Sequence, residues 1–597
     1  MPKYLIAISV GPVQDFIGAA RRTRDLWFGS EVLSRISKSI ARQLNESGAE
    51  LIFPAPSNAE IDLEDKSSFN VGNKLLVLCA TDNPSQQVAK LKVNAQAHWK
   101  NIAQEVKEKA FGIIKNNPFI EDNIWEAQLT DVLEIFCAWV EITEENKYPY
   151  YRKRVDELLA SRKNTREFNQ AAVDGWGRPK SSLDGLRESV LKKSLKKWER
   201  MKLGLSNSEQ LDCPGLVKRL GGLEREQFTP ISRIAIDPWL RGIGINKSRE
   251  LSEIGESLEP LIKHGLVSRV TGNAGIYSIF PYDGQILYPF RLDAVEAEVK
   301  RVNKDDREQS EKILSLIRNV KNVIKKSGVR SFGEPLPYVA VIHADGDRMG
   351  ELLNDKKTIE EHRKVSAQLT AFASNVTEIV RGCRGDTIYS GGDDVLALLP
   401  LDKVIECAYK LQDKFKTLVE SSENVEATLS VGIAVGHLLE PMGKLLELSR
   451  YAETLAKGNN LKETDRKNGL AIVLKPRSGA AIEIRSQWDS DPQYFLQSWI
   501  TAHVNCEIPD GAAYQLRELA KDLSWVDDGN ENDKELVKLE TLRILKRKKS
   551  NFGQTELTQE ITQMIEQRIE SVGLKGLAEE LILTRRFAEV KMQAELK

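Results

Sequence analysis

The sequence predicts an α+β protein built on two β-α-β-β-α-β units joined and followed by helical segments. Three observations carry this. Two apolar strands, Tyr4 to Val10 and Tyr338 to Ala344, each run into a sharp turn. Between and after them lie long charged stretches with apolar residues at helical spacing. The second unit shows the full ferredoxin-like, or palm, order of strands and helices.

In the first unit, the strand Tyr4–Val10 meets Gly11-Pro12, and a helix begins near Gln14. A second helical piece follows Gly29-Ser30, with Val32, Ile36, Ile40 and Leu44 forming one stripe against a sheet. Lys74 to Ala80 reads as a further strand. From about 85 to 205 the pattern is helical and charged, with a basic stretch at Lys192, Lys193, Lys196 and Lys197. The middle is punctuated by Gly221-Gly222 and carries Asp237-Pro238-Trp239-Leu240 before a charged helix over about 293 to 326.

After the linker Gly333 to Pro337, the strand Tyr338–Ala344 leads into Asp345-Gly346-Asp347. A helix is expected over about 358 to 381. Two short strands, Thr387 to Ser390 and Val395 to Leu399, flank Gly391-Gly392-Asp393-Asp394. A helix with Val404, Leu411, Phe415 and Leu418 on one face comes next. A strand over Thr428 to Val435 and a helix over about 441 to 457 complete the unit. From about 486 the pattern is helical and holds the basic run Lys546 to Lys549. The expected organisation is 1–205, a first palm unit without metal carboxylates; 206–332, a mainly helical middle; 333–485, a second palm unit; and 486–597, a helical C-terminal domain.

The two units repeat each other. Tyr4–Val10 aligns with Tyr338–Ala344, and Gly72–Leu78 aligns with Gly392–Leu398. On this alignment Gly11 and Val13 stand opposite Asp345 and Asp347, and Asn73 and Lys74 opposite Asp393 and Asp394.

Composition bounds the function. Lys and Arg number 86 against 87 Asp and Glu, a formal net charge of -1, so coating of nucleic acid along the whole chain is not expected. No apolar run reaches the roughly 20 residues of a membrane span. The N-terminus lacks a signal-peptide cleavage pattern. The six cysteines are scattered without a C-x-x-C, which argues against a disulfide framework and a local zinc knuckle. The expected compartment is the cytoplasm.

The chemistry lies in the second unit. Asp345 ends one strand, while Asp393 and Asp394 sit in the turn between the next two. Strand pairing brings that turn beside Asp345. Gly-Gly-Asp-Asp alone reads equally well as a hairpin turn. Three carboxylates at one sheet edge would repel without a cation, and Mg²⁺ or Mn²⁺ prefers such oxygen donors. Two-metal nucleotidyl transfer uses this donor set. Gly391 and Gly392 leave the backbone open to phosphates. Lys457, at a helix end before Gly458, is placed to meet a triphosphate, as are Arg466 or Lys467, although lysine favours helix ends anyway. His343 shares strand parity with Asp345 but reads better as a satisfied core histidine. The basic runs read better as solvated faces than as RNA contacts.

These residues resemble the large, cyclase-like subunit of type III CRISPR effector complexes in its type III-B form. The resemblance rests on Ile8-Ser9-Val10-Gly11-Pro12-Val13-Gln14-Asp15-Phe16-Ile17 with Arg21-Arg22-Thr23-Arg24-Asp25-Leu26-Trp27-Phe28-Gly29-Ser30. It rests also on Ser232-Arg233-Ile234-Ala235 with Asp237-Pro238-Trp239-Leu240, and on His343 to Gly350 with Tyr389 to Asp394. Ser430 to Ala434 and Ala456-Lys457 are similar to the wider nucleotide-cyclase palm.

The resemblance implies two facing palm domains, a helical insertion and a helical C-terminal domain. It implies partners: other type III-B CRISPR effector subunits, a guide crRNA and a target RNA, with no membrane. It implies target-activated synthesis of cyclic oligoadenylate from ATP. Asp345, Asp393 and Asp394 would hold Mg²⁺ or Mn²⁺, Gly391, Gly392 and Lys457 would seat the triphosphate, and Ser30 would help seat a second nucleotide. A nucleotide-binding but catalytically silent scaffold and a stand-alone cyclase are the alternatives. Two departures from the family pattern stand out. No early His-Asp pair is present, so no HD nuclease is expected. Of a four-cysteine zinc motif only Cys213 remains, so zinc is not expected.

Overall fold

The computed structural model describes the chain except residues 66, 68, 116, 166–177, 223–228, 271–275, 303–306, 423, 510, 525–530, 548–556 and 596–597. Lys548 and Lys549 of the second basic run lie outside the described residues.

Two sheets organise the molecule. The first comprises β1 (Lys3–Gly11), β2 (Glu50–Phe53), β3 (Lys74–Ala80) and β4 (Glu134–Ile142), in the order β2-β3-β1-β4. The second comprises β5 (Tyr338–Asp347), β6 (Asp386–Gly391), β7 (Asp394–Leu399), β8 (Thr428–His437), β9 (Gly469–Leu474) and β10 (Ile482–Gln487), in the order β10-β9-β8-β5-β7-β6. The run β6-β7-β5-β8 repeats the order of the first sheet, and β9 and β10 extend it beyond β8. Every pairing is antiparallel except β8 with β9.

The helices that bear on the site are α1 (Gln14–Gly18), α2 (Thr23–Glu46), α3 (Pro84–Ile113), α4 (Tyr148–Asn164), α5 (Cys213–Leu220), α6 (Ile231–Asn246), α7 (Ile359–Gly382), α8 (Leu401–Leu418) and α9 (Met442–Lys457). The stripe Val32, Ile36, Ile40 and Leu44 is buried as its spacing requires. It places α2 on the first sheet, and the same helix also contacts β6 of the second.

The apolar core is continuous between the units. Ile6, Ile8 and Val10 of β1 share it with Val339 and Val341 of β5. The alternate residues Ala340, Ile342 and Ala344 face a second core under α7 and α8, as the two-residue period of a strand demands.

Four features differ from the sequence reading. Gly29-Ser30 lies inside the unbroken α2, because Gly29 lets the Lys218 stem approach: a Cβ there would be 3.1 Å from Lys218 Cδ. The stretch 85–205 is not wholly helical. Its segment Glu134–Ile142 is β4, drawn into the sheet by the second edge of β1 through pairs such as Ile6↔Trp139. The strands β2, β9 and β10 are additional short elements: β9 joins the sheet through β8, well before it in the chain, and β10 pairs back on β9. Finally, the repeat is shifted by two residues. β1 pairs with β3 as Ser9↔Lys74, whereas β5 pairs with β7 as Ala344↔Val395, one step short of placing Asp345 opposite Asp394. Keeping Lys74 aligned with Asp394 puts Ser9 and Gly11, not Gly11 and Val13, in the places of Asp345 and Asp347. A two-residue shift preserves which face each side chain takes.

Candidate active site

The β6–β7 hairpin pairs Gly391 with Asp394 and turns at Gly392 and Asp393. Gly392 has φ 76°, the conformation for which glycine leads the first position of such turns. Asp393 leans over β5, where a Cβ on Gly346 would be 2.8 Å from Asp393 Cβ and 3.0 Å from its Oδ2. Gly346 is therefore what lets the turn settle beside Asp345.

This closeness has an electrostatic consequence. Burial pushes the Asp393 carboxyl up to about 7, reinforced by the negative charges of Asp345 and Asp394 and opposed by Lys74. Burial also raises Asp345, although Lys457 pulls it back. Tyr389, packed behind the turn, is raised by burial and then by the same three aspartates.

Lys457 reaches the cluster because α9 lies directly on the sheet. A Cβ on Gly432 would be 2.1 Å from Glu453 N, and one on Gly469 would be 2.2 Å from Ala456 O. Gly458, at φ 59°, ends the helix there. Lys457 Nζ lies 2.5 Å from Asp345 Oδ2 and 2.5 Å from Glu453 Oε1. Burial alone would lower this ammonium, but Asp345 and Glu453 outweigh it and hold it well above its ordinary value.

The first unit supplies the facing wall. Phe53, at the end of β2, is 3.7 Å from where a Cβ on Gly392 would be. Lys74, in the place of Asp394, is near enough to act on Asp393.

The structure thus brings together Asp345, Asp393, Asp394, Gly391, Gly392 and Lys457. Ser30 lies on α2, the helix of the first unit that also contacts β6. Asp347 does not join the cluster. It is buried, and accepts hydrogen bonds from Thr428 Oγ1, Ser430 Oγ and Asn468 N, each at 2.9 Å. His343 corrects the reading as a satisfied core side chain. Its Nε2 lies 3.5 Å from Asp394 Oδ1, and its buried Nδ1 has no partner. Arg466 is tied back to Leu461 O at 2.7 Å, and the backbone of Lys467 caps α9 at Lys457 O, 2.8 Å away. Glu453 was not anticipated, although it stands four residues before Lys457 on the same helical face.

Cys213, the remnant of the cysteine motif, starts α5 in the core, and burial raises its thiol far above the ordinary value.

Among the described residues no three His, Cys, Asp or Glu side chains form a ready cation cage. An all-oxygen donor set of a few carboxylates still fits Mg²⁺, which keeps several waters and shares its coordination with substrate phosphates. Asp393, crowded by two other carboxylates, is the kind of group that a divalent cation would relieve.

Residues 338–471 match the family model of the Cas10/Cmr2 second palm domain, and residues 5–117 match that of the CRISPR-associated protein Cmr2, N-terminal. Both matched stretches are therefore similar to the Cas10/Cmr2 family. The CRISPR system Cmr subunit Cmr2 of Pyrococcus furiosus is 23% identical over 554 residues, covering 80% of this chain and 62% of the relative. A Cas10/Csm1 protein of subtype III-A from Enterococcus italicus, a CRISPR system single-strand-specific deoxyribonuclease, is 29% identical over 143 residues, covering 22% of this chain and 18% of its own length. The chain therefore spans less than two thirds of the length of these Cas10/Cmr2 relatives. Among solved structures, a chain of the type III-B Cmr-beta complex in its apo state superposes with a TM-score of 0.63 at 14% identity, covering 96% of this chain and 82% of that one. A chain of Cmr-beta bound to cognate target RNA gives 0.62 at 13% identity, covering 94% and 80%. These likenesses establish the fold. Among the described residues no helix is long and apolar enough to cross a membrane.

Proposed function

We propose that this chain is the nucleotidyltransferase subunit of a type III CRISPR ribonucleoprotein, making cyclic oligoadenylate or a related adenylate from ATP when target RNA binds. The observation that carries this reading is the cluster of Asp345, Asp393 and Lys457 at the end of the palm strands. It gathers acidic oxygens for a cation and an ammonium for a triphosphate within one cleft. The two matched Cas10/Cmr2 stretches and the Cmr-beta-like fold support assembly with other effector subunits, a guide crRNA and target RNA. They agree with work in the cytoplasm.

The reaction joins a 3′-hydroxyl to an α-phosphate with loss of pyrophosphate. Asp345, Asp393 and Asp394 are the residues that would hold Mg²⁺ or Mn²⁺, which when bound neutralises phosphate charge and steadies the attacking and leaving oxygens. The chain's own contributions follow from its geometry. Gly391 and Gly392 would offer backbone to the phosphates, Gly391 with the Tyr389 ring packed where a side chain would stand, and Lys457 would supply a positive charge beside them. Phe53 and the carboxylate-free first unit close the opposite wall, where an acceptor nucleotide would lie, with Ser30 further along α2. Asp393 must be ionised to bind the cation, so its raised pKa couples metal uptake to proton release.

The test is ATP turnover by the reconstituted complex with Mg²⁺ or Mn²⁺, with and without complementary RNA, read by mass spectrometry. A target-dependent adenylate is the expected product. ATP binding without any product would point instead to a silent scaffold, and target-independent turnover to a stand-alone cyclase.

A further inference from the structure

Lys457 has two carboxylate partners of different kinds. Asp345 belongs to the acidic cluster at the strand ends. Glu453 belongs to the lysine's own helix, one turn earlier, with its side chain 13% exposed against 32% for Asp345. Both contacts measure 2.5 Å, so one ammonium spans the space between them. The backbone there has little freedom. The bare Cα positions of Gly432 and Gly469 fix α9 against β8 and β9, and Gly458 stops the helix directly after the lysine. The side chain is the part with room to turn between the two carboxylates.

A divalent cation at Asp345 and the ammonium of Lys457 would lie too close together for both to keep full contact with the same carboxylate. Losing Asp345 would not strand the lysine, because Glu453 still partners it. We propose that Lys457 competes with the divalent cation for Asp345, and that Glu453 is the positioning residue that keeps the displaced ammonium beside the triphosphate. Glu453 then lowers the cost of metal entry and orients Lys457 for the nucleotide. This rests on the cluster being the metal–nucleotide site proposed above.

The test uses the full chain and Mn²⁺ alone, with free Mn²⁺ read by electron paramagnetic resonance, followed by ATP binding measured by calorimetry. Lys457→Gln should tighten Mn²⁺ binding about fivefold while weakening ATP about tenfold. A lysine that served only the phosphates would leave Mn²⁺ unchanged. Lys462→Gln, which removes an equal charge from the exposed loop after the helix, should leave Mn²⁺ affinity unaltered. An equal gain there would reduce the effect to net charge and overturn the inference. Glu453→Gln should weaken Mn²⁺ severalfold in the parent chain and much less in the Lys457→Gln background. An identical loss in both backgrounds would show that Glu453 acts through its charge and not through the lysine. Mn²⁺ binding that survives Asp345→Asn with Asp393→Asn would sink the proposed site itself. Binding that needs those aspartates but ignores Lys457→Gln would sink only the competition.

Discussion

The two sheets share one strand order and differ at one end. In the first, β1 finishes on Ser9 and Gly11, and the following hairpin partner begins with Asn73 and Lys74. In the second, the same places hold Asp345, Asp347, Asp393 and Asp394. The scaffold therefore does not make the site. Three of these carboxylates, Asp345, Asp393 and Asp394, and Gly346, which admits the turn, do. The contrast also shows how a carboxylate cluster is kept in a folded chain. The acidic sheet recruits a lysine from α9, while its neighbour offers Lys74 across the interface.

The largest effect should come from erasing the contrast. Changing Asp393 and Asp394 together to Ala leaves these two places without carboxylates, as in the first sheet. Adenylate synthesis should fall about a hundredfold or more, with subunit assembly retained, as read by mass spectrometry and gel filtration. Synthesis at the parental rate would place the chemistry elsewhere.

The next effect concerns Gly432. An added methyl group would sit 2.1 Å from backbone, with no flexible side chain to yield. Gly432→Ala should cost about 2 kcal/mol or more, lower the melting temperature, and loosen ATP by displacing Lys457. A variant with normal melting and normal ATP affinity would mean that α9 need not touch β8.

A third effect tests the join between the units. Tyr148 Oη on α4 meets His362 Nδ1 on α7 at 2.7 Å, and burial lowers His362 from 6.5 to about 3. The unfolded chain takes up this proton more readily, so the histidine's contribution to stability is present above pH 6.5. It is lost progressively as the pH falls toward 3. His362→Gln should flatten the fall in melting temperature between pH 7 and 5. An unchanged slope would put the acid sensitivity in other groups.

The smallest effect is expected from the first sheet's own hairpin. Changing Asn73 and Lys74 to Ala should leave Mn²⁺ binding intact and alter turnover by no more than about threefold, since Lys74 only tempers Asp393 at a distance. Loss of metal binding would make the first unit a ligand donor and dissolve the comparison.

Much of this was legible in the sequence because it is local. The β5 strand, the Gly391-Gly392 turn and the stripe on α2 announce themselves by spacing within a dozen residues. Asp345 and the turn carboxylates followed, since antiparallel pairing of adjacent strands leaves little choice of neighbours. What escaped depends on distant partners. β4 is a strand because β1 offers it an edge over a hundred residues away. Asp347 shares a motif with Asp345, yet Thr428, Ser430 and Asn468 withdraw it from the cluster. Ser30 reads as a site residue by resemblance alone, on a helix whose contact with β6 no local pattern announces. Glu453 carried a signal in its four-residue spacing to Lys457, but that spacing is also common on solvated helices.

The contact of Phe53 with the Gly392 turn has a consequence for ancestry. The hairpin bearing the carboxylates is walled by a residue from the opposite unit, so neither half is a self-sufficient module. An exchange that imported only the acidic half from a relative would bring chemistry without its enclosure. Descent should therefore have carried the two halves as a pair, with the quiet one constrained by the working one through their shared core and the Phe53 ring beside the turn.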